Sequence, residues 1–279
     1  MSAPMALIAG QGGVPGVLAD ALDRAGRPFL MAEIEGFATV PVAGAGTTLR
    51  FRLERLVPFL GALVDHGVHQ VVFAGSLHRP RLDPALFDPG TLALLPRILK
   101  AMQAGDDAAL REVIAVFEEH GLEVVGADAV CPDLLAAPGV LGTVSPGPQD
   151  EIDAARAAGI VAALGAVDVG QGAVVARGLC LALEALPGTD AMLAHVARLR
   201  GTRDDLPGGG VFFKAPKPGQ DRRIDLPALG PDTVRAAHDA GLRGIAFEAG
   251  GVLMIDRTAM LAEADRLGLF LWSRDPVPS

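Results

Sequence analysis

Two lysines, two arginines and two aspartates fall within twelve residues, Lys214 to Asp225, in the run Lys214-Ala215-Pro216-Lys217-Pro218-Gly219-Gln220-Asp221-Arg222-Arg223-Ile224-Asp225-Leu226-Pro227. Carboxylates bind Mg²⁺, and Mg²⁺ with basic side chains stabilises the charge of a phosphoryl transition state. The chain has 21 arginines and only three lysines, Lys100, Lys214 and Lys217. Two of the three therefore stand in this run, as expected where a compact ammonium is wanted. Prolines stiffen the segment. On composition alone it also reads as a solvated charged loop.

A second candidate is Gly10-Gln11-Gly12-Gly13, which follows the apolar run Ala6 to Ala9 and opens a helical pattern from Val14 to Ala25. Backbone N–H groups at a helix N-terminus attract phosphate. The dinucleotide frame G-x-G-x-x-G meets Gly10 and Gly12 but then Pro15, and no Walker lysine follows. Gly75-Ser76 ends another strand-like run, Gln70 to Ala74. In open parallel sheets ligands sit beyond the carboxyl ends of strands, although glycines there also simply permit tight turns. Asp168-Val169-Gly170-Gln171 reads as a turn before a strand, and Pro187-Gly188-Thr189-Asp190 as a helix start, with Thr189 explained by capping alone. The six histidines (66, 69, 78, 120, 195 and 238) are scattered, no G-x-S-x-G elbow occurs, and neither cysteine, Cys131 or Cys180, has a basic local setting.

These residues need elements to position them. Helical periodicity at Leu53 to His66, Leu94 to Gln103 and Asp107 to His120 alternates with strand-like runs at Pro28 to Ile34, Gln70 to Ala74 and Leu122 to Val125, the pattern of βαβ units on a parallel sheet. Ala136 to Asp150, rich in Pro and Gly, reads as a linker. Beyond it come a helix from Glu151 to Leu164, strands at Ala173 to Ala176, Leu179 to Glu184 and Val211 to Lys214, and helices at about Asp190 to Leu199, Pro231 to Ala240 and Arg257 to Leu267. Gly244 to Phe247 and Val252 to Ile255 read as a hairpin around Gly250-Gly251. The expected class is α/β in two domains, residues 1–134 and 151–279, joined by 135–150.

Composition narrows the function. With 279 residues, half of them apolar, the chain can bury a real core. A net charge of −9 argues against a nucleic-acid binder, which needs a basic face, and one Trp with no Tyr gives little for base stacking. Two distant cysteines make neither a disulfide scaffold nor a zinc site. No signal-like start and no uninterrupted apolar stretch of about 18 residues is seen, so a cytoplasmic location is expected.

At this point the pieces resemble a family. Ile8-Ala9-Gly10 through Pro15, Phe73-Ala74-Gly75-Ser76 with Arg79-Pro80, Gly105-Asp106-Asp107, Ser145-Pro146, Asp168-Val169-Gly170-Gln171-Gly172, Glu184-Ala185 with Gly188-Thr189-Asp190-Ala191-Met192, and Lys214 through Pro227 resemble, in order and spacing, the LpxI-type UDP-2,3-diacylglucosamine pyrophosphatases of lipid A biosynthesis. The resemblance runs from Leu7 to about Trp272. It implies a Rossmann-like N-terminal domain, a C-terminal α/β domain particular to the family, and an active site between them. It implies Mg²⁺-dependent cleavage of UDP-2,3-diacylglucosamine to UMP and 2,3-diacylglucosamine 1-phosphate (lipid X), with Asp225 matching the family's essential aspartate. It also implies a homodimer with exchanged segments. A lipid-bearing substrate requires an apolar cleft or a peripheral face on the inner membrane. Two departures stand out: Gln11 replaces the middle glycine of the family's loop, and Thr47 to Leu53, with Arg50 and Arg52, does not follow its pattern.

The expected roles are then these. Asp225 binds Mg²⁺ or orients the attacking water, with Asp190 a second metal candidate. Lys214 and Lys217 hold phosphate oxygens. Gly10, Gln11, Gly12, Gly13, Gly75 and Ser76 hold the nucleotide or sugar phosphate by backbone N–H, and Gln171, Thr189 and Gln220 contact substrate. Two other readings stay open, an NAD(P)-dependent oxidoreductase using Glu33 or Glu35 for the ribose and a non-catalytic nucleotide-sugar sensor.

Overall fold

A computed structural model of the chain describes residues 3–37, 46–76 and 82–276. The fold divides into two compact units. The first comprises residues 1–132 together with Asp221–Asp225, and the second comprises 133–220 with 226–279.

In the first unit the order is β1 (Met5–Ala9), α1 (Val14–Arg24), β2 (Phe29–Ile34), β3 (Thr47–Phe51), α2 (Leu56–Asp65), β4 (Gln70–Ala74), α3 (Pro89–Ala104), α4 (Asp106–Glu119), β5 (Glu123–Val125) and α5 (Ala127–Val130). The strands form one all-parallel sheet in the order β3-β2-β1-β4-β5. Its central strand, Met-Ala-Leu-Ile-Ala, is buried at every position, as a strand covered on both faces must be. Ala6 and Ile8 pack with Leu56, Phe59, Leu60 and Leu63 of α2 and with Ile114 and Phe117 of α4. This is the parallel sheet expected from the alternation of periods, and the Rossmann-like domain that the resemblance implies. The strand Thr47–Phe51 was not legible, because it is short and mostly exposed.

The second unit runs β6 (Gly139–Leu141), α6 (Pro148–Ala166), β7 (Gly172–Ala176), β8 (Leu179–Leu183), α7 (Gly188–Thr202), β9 (Val211–Lys214), β10 (Ala228–Leu229), α8 (Pro231–Asp239), β11 (Gly244–Glu248), β12 (Leu253–Met254), α9 (Arg257–Leu267) and β13 (Phe270–Arg274). Its main sheet is mixed, in the order β6-β13-β11-β9-β7-β8. β9, β11 and β13 are parallel, while β6, β7 and β8 pair antiparallel with their neighbours. One face packs on α6 through Ala154, Ala157, Ala158 and Val161. The other buries Phe212, Phe247 and Leu271 with side chains of α7, α8 and α9.

The expected hairpin at Gly244 to Ile255 does not form. β11 pairs in parallel with β9 and β13, and β12 pairs in parallel with β10. The turn at Gly250, φ +64°, carries the chain out of the sheet. Ala249 N–H then goes to Arg274 O, and Leu253 N–H to Pro227 O, instead of to each other's strand. Three further strands come as additions: β6, within the Pro- and Gly-rich stretch 135–150, β10 and β13.

Candidate functional site

The polar groups singled out from the sequence gather in three places, two in the first unit and one in the second.

The first is the pair of loops beyond β1 and β4. Gly10 N–H donates to Ala74 O at 2.7 Å, Gln11 N–H to Ser76 O at 2.9 Å, and Ser76 N–H to Gln11 O at 3.0 Å. Gln11 and Ser76 thus form a small antiparallel bridge. Both flanking glycines are required by the closeness of the backbones. A Cβ on Gly10 would stand 2.6 Å from Ser76 O, and one on Gly75, at φ +88°, 2.3 Å from Gln11 O. The expected role of these residues as N–H donors to phosphate therefore narrows. The N–H groups of Gly10, Gln11 and Ser76 are already spent on backbone. Those of Gly13, Val14 and Gly16 belong to the orphan donors of a helix start, Pro15 having no N–H, and Gly12 stands just before the N-cap. Gly12 and Gly13 are exposed.

Glu33 and Glu35, which kept the ribose-binding reading open, are ion-paired with the two arginines that depart from the family pattern. Arg50 Nε lies 3.0 Å from Glu33 Oε2, and Arg52 Nε lies 2.8 Å from Glu35 Oε2. His78, Arg79 and Pro80 fall outside the described residues.

The second place is the segment Asp221–Asp225, which packs with the first unit. Ile224 enters that unit's core cluster and is 7% exposed. Asp221 N–H makes a long bond to Asp107 Oδ1, 3.4 Å. Arg223 grips Asp221 through Nε and Nη2, at 3.0 and 2.6 Å, and reaches Glu118 Oε1 at 2.6 Å. The Arg223 hydrogen bonds hold the Asp221 carboxyl below its ordinary range, against the opposing effect of partial burial. Asp225 follows at once, exposed, with φ +63°. A left-handed conformation is sterically disfavoured for residues other than glycine, though aspartate tolerates it better than most. Such outliers persist where the surroundings over-determine them and cluster at functional sites.

The third place lies in the second unit, around the carboxyl end of β9. Lys214, the last residue of β9, is buried, and its Nζ donates to Thr189 Oγ1 at 2.5 Å. Thr189 Oγ1 donates in turn to Glu184 Oε1 at 3.0 Å. Lys217 Nζ pairs with Asp168 Oδ1 at 2.5 Å. Gln220 Oε1 accepts from Lys217 N–H at 3.0 Å and from Gln171 Nε2 at 2.9 Å, and Ala215 N–H donates to Gln171 O. Gln171, Thr189, Lys214, Lys217 and Gln220 are thus linked by hydrogen bonds or by adjacency. Asp190 stands exposed beside Thr189 in the first turn of α7. The capping explanation of Thr189 fails: the N-cap of α7 is Pro187, with no side-chain cap, and the hydroxyl serves Lys214 and Glu184.

Two residues were missed as site candidates, Glu184 and Asp168, the carboxylate partners of the two lysines. Both stand in the quoted motifs. The structure shows why Glu184 needs glycines across from it: a Cβ on Gly170 would lie 2.0 Å from Glu184 O, and one on Gly172 2.5 Å from Glu184 Oε2. Asp168 is, like Asp225, a non-glycine residue with positive φ, +56°.

Among the described residues, no three His, Cys, Asp or Glu side chains stand close enough together to hold a metal ion. Mg²⁺ is commonly held by one or two carboxylates, with waters and substrate phosphates completing its shell. An exposed carboxylate such as Asp225 suits that kind of site, and no closed protein cage is built. No helix of the described residues is long and apolar enough to cross a membrane.

Comparison with known proteins agrees with this architecture. The family model described as the LpxI N-terminal domain matches residues 4–134, and that of the LpxI C-terminal domain matches 137–272. A relative from Caulobacter vibrioides (strain ATCC 19089 / CIP 103742 / CB 15), named UDP-2,3-diacylglucosamine pyrophosphatase LpxI, is 41% identical over 281 residues, covering 98% of each chain. Among solved structures, a protein assigned as an NAD-dependent epimerase/dehydratase from Methylobacillus flagellatus is 14% identical with a TM-score of 0.30, over 100% of this chain and 85% of that one. A GalE-like L-threonine dehydrogenase from Cupriavidus necator is 13% identical with a TM-score of 0.28, over 98% and 91%. On the two domain models and the full-length relative, the chain belongs to the LpxI family.

Proposed function

We propose that this chain hydrolyses the pyrophosphate bond of UDP-2,3-diacylglucosamine, releasing UMP and 2,3-diacylglucosamine 1-phosphate (lipid X) in lipid A biosynthesis, with Mg²⁺ as its cofactor. The observation that carries the reading is the relative of that name, aligned over nearly the whole of both chains at 41% identity. The chemistry of the gathered side chains supports it. A pyrophosphate is split by positioning and by charge, with no covalent nucleophile required.

Asp225 is the residue we assign to the reaction itself, as the carboxylate that would hold Mg²⁺ or orient the attacking water, with Asp190 as the second metal candidate. When bound, Mg²⁺ would supply positive charge to the phosphate oxygens. Lys214 and Lys217, each fixed by a carboxylate, present ammonium groups to phosphate oxygens. Gln220 shapes the turn that carries Lys217, and Gln171 buttresses Gln220. The N–H groups of Gly13, Val14 and Gly16 offer an anion seat at the start of α1, with Gly12 just before it, and the bridge between Gln11 and Ser76 holds that seat in shape. A homodimer with exchanged segments and peripheral contact with the inner membrane, from the cytoplasm, belong to the same reading.

The test is release of UMP and lipid X from UDP-2,3-diacylglucosamine, with and without EDTA, by wild type and Asp225→Asn. Wild type should turn over only with free Mg²⁺. The isosteric variant should lose about 10²-fold or more in rate while still binding substrate. A folded wild-type protein that forms no UMP with any divalent metal would remove the hydrolase reading and leave the sensor.

A further inference from the structure

We propose that Glu184 is the positioning residue that aims the Lys214 ammonium, acting through Thr189. The inference rests on the phosphate-binding role given above to Lys214. Glu184 is 9% exposed and Lys214 6%. They come from different elements: Glu184 follows β8, Thr189 begins α7 and Lys214 ends β9. The Thr189 hydroxyl has one proton, and it goes to Glu184 Oε1, 3.0 Å away. Its lone pairs are therefore left to accept from Lys214 Nζ at 2.5 Å. Glu184 Oε1 itself lies 3.6 Å from the ammonium. One N–H of the ammonium is thereby fixed in direction, and rotation about the last bond of the side chain is locked.

The carboxylate is held where it is expensive to keep. Glu184 Oε2 is buried and has no hydrogen-bond partner among the described residues. It abuts the Cα of Gly172, where a Cβ would lie 2.5 Å from Oε2 and 2.8 Å from the Phe212 ring. A glutamate held against a phenylalanine and a glycine, with one oxygen unanswered, weakens the fold. Its compensation is the fixed direction it gives the Lys214 ammonium through Thr189.

The chain's three lysines make the test direct. In protein labelled with [ε-¹³C]lysine, three side-chain signals report Lys100, Lys214 and Lys217 separately. Among the described residues, Glu184 is the carboxylate within 4 Å of the Lys214 ammonium. Around it α7 contributes the Thr189 hydroxyl and, next in sequence, the exposed Asp190, β7 contributes Gly172, and the nearby cation Lys217 is already paired with Asp168. In Glu184→Gln, which keeps the shape and removes the charge, the Lys214 signal should shift and broaden as its ammonium loses its fixed direction, with the Lys100 and Lys217 signals unmoved. The value of kcat/KM for UMP release should fall about tenfold. Thr189→Val, which removes only the relay, should move both readouts in the same direction by less. An unmoved Lys214 signal, or a change shared by all three lysines, would overturn the proposal. If wild type itself releases no UMP, the hydrolase reading falls, and the lysine signals still decide the role of Glu184.

Discussion

Replacing Ile224 with Ala tests whether a single apolar side chain fixes the position of the proposed catalytic carboxylate. The segment Asp221–Asp225 is five residues long and returns to the first unit from within the sequence of the second. Two of its polar ties are weak. The pair Arg223–Glu118 is 41% and 44% exposed, and such surface pairs contribute about 0–1 kcal/mol. The bond from Asp221 N–H to Asp107 is 3.4 Å long. Ile224, by contrast, is 7% exposed in the cluster that holds Leu63, Phe117 and Val124. Truncation to Ala removes three carbons, at about 0.8 kcal/mol each, so about 2.4 kcal/mol before any cavity cost. That lowers the ratio of docked to undocked segment by roughly 60-fold. The control is Leu63→Ala, which deletes a fully buried side chain of the same cluster, on α2. It should cost the first unit about 2–5 kcal/mol as well while leaving the Ile224 side chain in place. Both variants are assayed for UMP release at a temperature where circular dichroism shows both folded. Ile224→Ala should lose activity, up to the 60-fold factor, and Leu63→Ala should keep it. Equal activities would mean that Asp225 is placed by something other than this anchor.

Four further outcomes follow from the geometry. Gly75→Ala should destabilise the first unit by about 1–3 kcal/mol and weaken UMP binding in calorimetry, because the new Cβ meets Gln11 O at 2.3 Å and φ is +88°. Gly12→Ala, at φ +93° with nothing within 4 Å, should cost only the conformational part, about 1 kcal/mol. Asp153→Ala should cost about 2–4 kcal/mol by thermal unfolding, and hydrogen exchange at the turn between β7 and β8 should rise. The reason is that this 1% exposed carboxylate accepts from Arg177 N–H, Gly178 N–H and Gln149 Nε2 at 2.8, 2.7 and 3.1 Å. Asp221, held below 3.8 by Arg223, contributes stability that is fully present above the unfolded value and is lost as pH falls through the lower folded value. Asp221→Asn should therefore flatten the loss of stability below about pH 4 in acid titrations, by a small amount because Arg223 is half in water.

Much of this could be read from residue order, and the exceptions have physical reasons. The parallel sheet of the first unit was legible because β1, β2 and β4 are apolar runs with turns between them, and their burial leaves periodicity no rival. The strand Thr47–Phe51 was not, since an edge strand with three exposed residues shows little pattern. Gly244 to Ile255 looked like a hairpin because a Gly-Gly pair between two apolar runs is the local signature of one. Pairing with β9, β13 and β10 is decided by residues far away in the chain. At the site, Lys214 and Lys217 stood out by rarity, but their carboxylate partners did not. Glu184 lies thirty residues before Lys214, and Asp168 forty-nine before Lys217. Only the fold brings them within reach.

The residues given opposite roles are also held by opposite means. Each lysine of the second unit is fixed by a carboxylate, Lys214 through Thr189 and Glu184, and Lys217 through Asp168. A buried ammonium is costly without a counter-charge, so its holder is ionic. Asp225 follows another rule. A carboxylate that is to meet a metal ion or water has to keep its oxygens accessible. The sequence answers by anchoring its neighbour. Arg223 is tied to Asp221 and Glu118, Ile224 is buried, and Asp225 is exposed in a left-handed conformation. Exchanging Ile224 for a polar residue should therefore harm the reaction more than exchanging Arg223, although only Arg223 carries a charge.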